Sequence, residues 1–395
     1  MRRPDLVDLR LRLGVGVVAI GVMGCRHAPS EGGLDELGDA SSSAASDSSG
    51  SDEPSSSSDA SSSSDATSSS DATSSSDASS SSDASSSSAT DSASSETGDP
   101  PGVDVLVLAY GADPAQVLDL YLPSPAPLDP LPTLVLAHGG LWQSGDRSAL
   151  ANLCQQVVLG SGGARACASI DYRLSQDLGG ACMAGPDTYR EQLHDFADAF
   201  VLLQNQADTL GLDPTRMFVG GHSAGGHLAQ TLNLRWAEFE GTCTSDACPA
   251  PLAAIGLEGI YDIAAWDAYD QSHWNGTFAC ATRKAFGDPP GSLQACIDPG
   301  SSRPCWEFGS PTFLALNAVE LGVTPVGAAL LIHSPGDDWV DIAEASTLGA
   351  ALESAFSIDV IVSIDGACAT SSHLGMLDEP ALAGCLIDYV GSLSI

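Results

Sequence analysis

The residue best placed to carry chemistry in this sequence is Ser223, which stands in the motif GHSAG at residues 221–225. The motif follows an apolar run over residues 217–220 and precedes an Ala-rich stretch that begins at Ala224. When a strand ends and a helix begins at once, the sharp turn between them lifts a serine hydroxyl above the sheet, where it can act as a nucleophile. The flanking glycines leave room for the crowded backbone, and a helix N-terminus favours negative charge. The alternative interpretation is a structural turn rich in glycine.

A second motif, HGGLW at residues 138–142, follows another apolar run and is suited to bind an oxyanion. A hydrolase needs backbone N–H groups that face the attacked carbonyl, and small residues let the carbonyl approach them. We therefore predict an oxyanion hole built from Gly139, Gly140 and Leu141 together with the N–H of Ala224. A simple turn at the end of a strand is the alternative.

The elements that must position these motifs alternate between strand and helix along the chain. Apolar runs that suit buried strands are separated by longer stretches with helical spacing. This alternation is typical of a mostly parallel sheet that is covered by helices. The predicted strands lie at residues 103–109, 117–121, 132–137, 166–172, 217–220, 253–257, 328–333 and 360–364, and the predicted helices at residues 149–159, 189–209 and 224–238.

Taken together, four motifs resemble the carboxylesterase and hormone-sensitive-lipase-like branch of the α/β hydrolases, which includes feruloyl esterases, acetylxylan esterases and arylformamidases. The resemblance extends over about residues 103–390 and is specific for the superfamily rather than for a substrate. Leu141 stands where many relatives carry a third glycine. This difference affects the expected shape of the acyl pocket, whereas the backbone N–H of residue 141 is still available as a donor. The motifs are LDLYLP at residues 118–123, HGGLW followed by Gly145 and Asp146, DYRL at residues 171–174, and GHSAGGH at residues 221–227.

In this fold the catalytic acid and then the base follow the serine along the chain. The segment from His333 to Val340 is similar to the family segment in which an Asp comes four residues after His and three before Val, so Asp337 is the predicted acid and Asp338 the alternative. His373, in the loop after the last predicted strand, is the predicted base. For each position, an exposed loop residue without a catalytic role is the competing interpretation.

Other histidines compete with His373 for the role of base. His222 precedes the nucleophile, and we expect its side chain to point away from Ser223. His227 is expected on the helix that follows, and His138 is expected to brace the oxyanion loop. The sequence therefore favours His373.

The resemblance implies an α/β-hydrolase fold with cap insertions, for which residues 179–186 and 266–311 are the candidates. It implies a serine esterase that hydrolyses small-molecule or polysaccharide-linked carboxylic esters through an acyl-enzyme on Ser223 and that uses no cofactor. An arylformamidase-like amide hydrolase is one alternative. A catalytically silent hydrolase fold that serves as a binding module is the other.

The N-terminal residues predict export. Four arginines within the first 12 residues precede an uncharged stretch over residues 13–24, which is typical of a signal peptide and too short to span a bilayer. The stretch ends in VMGC at residues 22–25, which resembles the lipobox of bacterial lipoproteins. We predict a signal peptide over residues 1–24 and lipidation of Cys25, which would anchor the protein to a bacterial membrane or cell surface. Secretion or release into the periplasm is the alternative.

Residues 25–100 are predicted to form a disordered tether. From residue 31 onward this segment is rich in Ser and Asp and holds 15 acidic residues but no Lys or Arg. Such a composition buries too little apolar surface to offset chain entropy. A calcium-binding repeat is disfavoured because the Gly-rich turns of such repeats are missing.

Residues 101–395 are predicted to form the catalytic domain. This segment contains 9 basic and 34 acidic residues, a net charge of −25, which disfavours nucleic acid as a partner. Once Cys25 is assigned to lipid, ten cysteines remain, and an even number in an exported domain predicts disulfides. No bound metal is expected, because no two cysteines have the tight spacing of a zinc ribbon or finger.

Overall fold

The computed structural model describes residues 102–176, 182, 185, 188–239, 249–292, 295–299 and 301–393. The predicted signal peptide at residues 1–24, the lipidation site Cys25 and the predicted tether at residues 25–100 lie outside the described residues. These three assignments stay predictions.

One eight-stranded sheet organises the described residues, with strand order β1-β2-β4-β3-β5-β6-β7-β8. Strands β1, β2 and β4 pair antiparallel, whereas every other neighbouring pair is parallel. The predicted mostly parallel sheet is therefore confirmed. The strands are β1 (Gly102–Ala109), β2 (Val117–Ser124), β3 (Leu131–Ala137), β4 (Ala166–Ile170), β5 (Leu212–His222), β6 (Ala253–Leu257), β7 (Ala328–Ile332) and β8 (Val360–Ser363).

Helices cover both faces of the sheet, because successive residues of a buried strand point in opposite directions. On β3, Leu134 and Leu136 pack in the core that contains α1 and α11, whereas Val135 and Ala137 pack in the core that contains α2 and α4. The helices are α1 (Ala151–Gly160), α2 (Tyr189–Asn205), α3 (Ala207–Leu210), α4 (Ala224–Arg235), α5 (Ile263–His273), α6 (Ala279–Phe286), α7 (Cys305–Phe308), α8 (Pro311–Leu316), α9 (Ala318–Leu321), α10 (Ala343–Ala355) and α11 (Pro380–Leu393).

Some element boundaries differ from the sequence predictions. The helix predicted over residues 149–159 begins at Ala151, because Arg147–Leu150 forms a 3₁₀ turn instead. The Asp146 side chain caps this turn and accepts a hydrogen bond from the Ser148 N–H. The helix predicted over residues 189–209 breaks at Gln206 into α2 and α3. These differences leave the order of the elements unchanged.

Four disulfides link described residues, in agreement with the predicted disulfide chemistry. Two of them tie the region of the predicted caps, Cys182–Cys280 and Cys296–Cys305, and two lie in the main body, Cys154–Cys167 and Cys368–Cys385. Most of the cap candidate at residues 179–186 lies outside the described residues, whereas the candidate at residues 266–311 forms most of α5, with α6 and α7. No described helix has the length and apolar composition that crossing a bilayer requires.

Candidate active site

Ser223 occupies the sharp turn between β5, which ends at His222, and α4, which begins at Ala224. Its backbone has φ 55° and ψ −119°, a left-handed conformation that is costly for a residue with a side chain. The turn is held by the Ser223 N–H, which donates to the Leu257 carbonyl at 2.8 Å. Such strain is typical of functional sites, where the surrounding structure enforces it.

The two glycines of the motif are required because other backbone segments come very close. A Cβ atom on Gly225 would stand 2.0 Å from the carbonyl oxygen of Ala137, and one on Gly221 would stand 2.5 Å from the same oxygen. Any side chain at these positions would push β3 and α4 apart. The glycines therefore allow the serine turn to lie directly on the end of the sheet.

The loop after β3 lies beside the serine. A Cβ on Gly139 would come within 3.0 Å of the Ser223 Cβ, so the two backbones are in close contact. Gly140, Leu141 and Trp142 all have left-handed φ values of 119°, 52° and 61°. Within the described part of the chain, the N–H groups of Gly140, Leu141 and Ala224 donate no hydrogen bond, so these predicted oxyanion donors are available. Gly140 and Leu141 line the cavity above Ser223, and Ala224, which follows Ser223 in the chain, is fully buried.

Trp142 fixes this loop to the helix that follows the serine. Its indole Nε1–H donates to Nδ1 of His227 at 3.2 Å, and Nε2 of His227 donates to the Gly309 carbonyl at 2.6 Å. Burial lowers the pKa of His227 to about 4, so the ring is neutral and its two nitrogens serve as acceptor and donor in this network. His227 lies on α4, as expected, and its ring links the loop after β3 to the segment at Gly309.

His373 lines the same cavity and pairs with Asp337. Nδ1 of His373 lies 2.9 Å from Oδ2 of Asp337, and both side chains are nearly inaccessible to solvent. The other oxygen of Asp337 accepts from the N–H groups of Trp339 and Val340 at 2.8 and 3.1 Å. Nδ1–H of His373 thus donates to the carboxylate, which leaves Nε2 available to accept a proton.

The structure separates Asp337 from its neighbour Asp338. Oδ1 of Asp338 is 3.5 Å from the backbone nitrogen of His373 and is not paired with the ring. Oδ2 of Asp337 also lies 3.0 Å from Nε2 of His333. Of these two aspartates, Asp337 is the one positioned to orient the imidazole of His373.

Two further side chains of the site escaped the sequence analysis. His222, which we expected to point away, lies with its ring centroid 4.5 Å from that of His373 and brings Nε2 to 2.8 Å from the His373 carbonyl oxygen. Glu258, fully buried directly after β6, places Oε2 3.2 Å from Nδ1 of His373. Both side chains therefore lie beside the predicted base, and neither was assigned to the site from the sequence.

The charges around His373 shift its proton affinity. Burial alone would lower the pKa of His373, but the carboxylates of Asp337 and Glu258 outweigh burial and raise the pKa to about 9. Burial opposes ionisation of Asp337 as well, yet hydrogen bonds from His333 and His373 hold its pKa well below the usual range. Burial also lowers the pKa of His222.

Ser223 and His373 line one cavity of about 430 Å³. Its walls are mostly apolar and include Leu141, Phe278 and Trp339. No hydrogen bond joins Ser223 to His373 among the described residues. A larger depression of about 500 Å³ between α8, α9 and α10 has no histidine in its lining, so the chemistry points to the cavity above Ser223.

One group of described residues could hold a metal ion, namely His222, Glu258 and His373, whose ligand atoms lie within 4.8 Å of one another. However, Nδ1 of His373 is engaged by Asp337, and Nε2 of His222 is engaged by a backbone carbonyl. The group therefore fits an acid–base network better than a metal centre. The expectation that no metal is bound stays a prediction.

Comparison with known proteins gives consistent matches. The BD-FAE family model matches residues 118–290. The chain is 28% identical to Esterase LipC of Mycobacterium tuberculosis over 155 residues, which is 39% of this chain and 36% of that protein. It is also 28% identical to the kynurenine formamidase avaC of Aspergillus versicolor over 244 residues, 58% of this chain and 78% of that protein.

Among solved structures, esterase B from Lactobacillus rhamnosis superposes with a TM-score of 0.55 at 18% identity, covering 75% of this chain and 87% of that chain. This likeness confirms the α/β-hydrolase fold. The match to Esterase LipC spans about a third of that protein's length. The resemblance inferred from the motifs, to α/β hydrolases that include esterases and arylformamidases, is thus confirmed.

Proposed function

We propose that this chain is an exported serine esterase that hydrolyses carboxylic esters through an acyl-enzyme on Ser223. The observation that carries the proposal is that Ser223 and His373, far apart in the sequence, line one cavity, and that Asp337 pairs with the ring of His373. Similarity to esterases and the BD-FAE match support the same reaction class.

The proposed reaction begins with proton transfer from the Ser223 hydroxyl to Nε2 of His373. Because Nδ1–H of His373 donates to Asp337, the ring has the tautomer that this transfer needs. The serine oxygen then bonds to the ester carbonyl carbon, and the carbonyl π electrons move to its oxygen. The backbone N–H groups of Gly140, Leu141 and Ala224 would hold that oxyanion.

Collapse of the tetrahedral intermediate breaks the bond to the alcohol, which takes the proton from His373. Water then enters, His373 removes one of its protons, and hydroxide adds to the acyl-enzyme. A second collapse releases the carboxylic acid and returns the proton to Ser223. Among the described residues, the structure shows no hydrogen bond between Ser223 and His373. This is compatible with the proposed reaction, because catalytic hydrogen bonds are often long before substrate binds.

The cavity supports small acyl or aryl esters as substrates. Its volume of about 430 Å³ lies in the usual range for small-molecule sites. Phe278 stacks on Trp339 with ring centroids 6.0 Å apart, and both rings line the cavity. A flat aromatic wall of this kind favours an aromatic or extended apolar group over a charged one. An ester linked to a polysaccharide is compatible if the sugar remains outside the cavity.

Export and lipid anchoring form a separate part of the proposal. They depend on the predicted signal peptide and on Cys25, and the four disulfides support an oxidising compartment. Radiolabelled palmitate should be incorporated into the wild-type chain and not into Cys25→Ala when both are expressed in a bacterial host. Equal incorporation would refute the anchor but leave the esterase proposal intact.

Amide hydrolysis is the second candidate, and the match to a kynurenine formamidase over 78% of that protein favours it. The same serine would attack a formamide carbonyl, with the same base and the same oxyanion donors. Purified enzyme should therefore be compared on p-nitrophenyl acetate, p-nitrophenyl butyrate and N-formyl-kynurenine. Faster turnover of the esters, abolished in Ser223→Ala, is expected. A strong preference for the formamide would replace the ester proposal, and no turnover of any of them would favour a silent binding module.

A further inference from the structure

Glu258 occupies a constrained position at the carboxyl end of β6. Its φ of 49° is left-handed, which is unfavourable for a residue with a side chain. The Glu258 N–H donates to the Ile332 carbonyl at 2.8 Å, which ties the residue to the end of β7. The side chain is completely buried. The fold thus holds a carboxylate in the interior at a backbone geometry that many residues avoid.

One oxygen of this carboxylate is satisfied and the other is aimed at the base. Oε1 accepts from the Ser334 N–H at 3.2 Å. Oε2 is buried, forms no hydrogen bond with any described residue, and lies 3.2 Å from Nδ1 of His373 and 3.6 Å from Nε2 of His222. A buried carboxylate oxygen without a donor is costly unless a cation forms beside it.

The two acids beside His373 have nearly equivalent positions. Asp337 follows β7 and Glu258 follows β6, which are adjacent parallel strands, so both carboxylates reach the same ring nitrogen. The distances from Nδ1 are 2.9 Å to Asp337 and 3.2 Å to Glu258, and both side chains are at most 1% exposed. A small rotation of the ring would transfer the Nδ1–H bond from one acid to the other.

We propose that Glu258 is a positioning residue that acts as a second acid for His373, sharing with Asp337 the orientation of the ring and the stabilisation of its cationic form. This proposal rests on the proposed function of Ser223 and His373. It adds a fourth side chain to the predicted set of three. Its consequence is that neither carboxylate alone is indispensable, and that the base is neutral only at alkaline pH.

Among the described residues, the charged and titratable groups that face His373 belong to the ends of neighbouring strands. They are His222 at the end of β5, Glu258 after β6, and Asp337 after β7, while Asp338 meets the His373 backbone and His333 contacts Asp337. Burial lowers the pKa of His222, which disfavours a positive charge on that ring. Removal of the Glu258 charge should therefore lower the proton affinity of His373 without a compensating cation.

The direct test is an NMR titration of histidine-labelled full-length protein, with the His373 signal assigned by its loss in His373→Asn. Glu258→Gln should lower the His373 pKa by on the order of one unit. Glu344→Gln is the matched control, because Glu344 is also a buried carboxylate but accepts from the N–H groups of Tyr261 and Asp262. An unchanged His373 pKa in folded Glu258→Gln would overturn the proposal.

Activity provides the second readout. The kcat of Asp337→Asn should fall by about 10²-fold, and that of the double variant Asp337→Asn/Glu258→Gln by about 10⁴-fold. If the double variant is no slower than Asp337→Asn, Glu258 does not support the base. Should Glu258→Gln fail to fold, Glu258→Asp keeps the charge one methylene farther away and should give a smaller pKa shift in the same direction.

Failure of the proposed function is distinguishable from failure of this inference. The NMR titration reports the Glu258–His373 interaction without any substrate. Ester turnover by Ser223→Ala reports the nucleophile without reference to Glu258. A shifted His373 pKa supports the inference even if Ser223→Ala stays active, which would refute the proposed function alone.

Discussion

The indole of Trp339 stacks on the imidazole of His373, with ring centroids 5.5 Å apart and planes inclined by only 10°. Trp339 is 37% exposed and also lines the cavity above Ser223. One aromatic side chain therefore contacts both the predicted base and the space for substrate. This double contact links substrate preference to the placement of the base.

Trp339→Ala should lower kcat/KM for an aryl ester by about tenfold more than for an acetate ester, because the larger substrate loses an aromatic contact. It should also lower kcat for both substrates, since His373 loses the ring that packs on its face. Phe278→Ala is the matched control, because Phe278 lines the cavity and stacks on Trp339 without a ring contact to His373. It should raise KM for the aryl ester and leave kcat for acetate nearly unchanged. Equal effects of Trp339→Ala on both esters would argue against an aromatic substrate wall.

The neighbouring acids should differ sharply in their importance. Asp337→Asn removes the charge that contacts the ring, so kcat should fall by about 10²-fold, with the remaining activity supported by Glu258. Asp338→Asn alters only a long contact of 3.5 Å to the His373 backbone and should change kcat by less than about threefold. Steady-state kinetics on a p-nitrophenyl ester measures both. A larger loss in Asp338→Asn would reverse the assignment of the acid.

The pH dependence of hydrolysis should be alkaline. His373 must be neutral to accept the serine proton, and its pKa is raised to about 9. As pH falls below this value the imidazolium form grows, so kcat/KM should decrease about tenfold per pH unit between pH 8 and 6. Rates read at the isosbestic wavelength of p-nitrophenol avoid interference from product ionisation. Half-maximal activity near the ordinary histidine pKa of about 6.5 would contradict the effect of the two carboxylates.

The Cys368–Cys385 disulfide should matter for catalysis as well as stability. It closes a segment with a sequence separation of 17 that contains His373, so Cys368→Ala/Cys385→Ala should lower the free energy of unfolding by about 3 kcal/mol and also lower kcat.

The disulfide Cys154–Cys167, with a sequence separation of 13, joins α1 to β4, and the segment that it closes contains no predicted site residue. Its removal is the control, with a similar loss of stability and an unchanged kcat at a temperature where both variants remain folded. Denaturant titration and steady-state kinetics provide the two measurements. An unchanged kcat in the first variant would mean that packing alone fixes His373.

Much of the architecture could be predicted from the sequence because the apolar runs are short and are bounded by turns. The runs at residues 253–257 and 328–333 correspond to β6 and β7, with β7 ending one residue earlier, at Ile332. The turn at Ser223 was predictable because a strand, a glycine pair and a helix follow one another without a gap. Local patterns of this kind depend on residues that are neighbours in the chain and can therefore be recognised from the sequence.

The sequence did not predict Glu258 or the position of His222. Glu258 has no motif around it, and its contact with His373 depends on the spatial adjacency of β6 and β7. One signal could have found it: parallel strands end at the same edge of a sheet, and Glu258 follows β6 directly, as Asp337 follows β7 after a short turn. Similarly, the spacing between His333 and Val340 did not separate Asp337 from Asp338 on physical grounds. The structure separates them, because Asp337 contacts the His373 ring and Asp338 contacts the His373 backbone.

The central claim is that Ser223 is the activated nucleophile, and covalent trapping tests it most directly. The purified protein should be treated with a fluorophosphonate probe and digested, and the modified peptide identified by mass spectrometry, with Ser223→Ala and His373→Ala treated in parallel. We expect one adduct on Ser223, none in Ser223→Ala, and labelling slowed by at least about 10²-fold in His373→Ala because the base is lost. An adduct on another residue, or equal labelling of Ser223→Ala, would contradict the account.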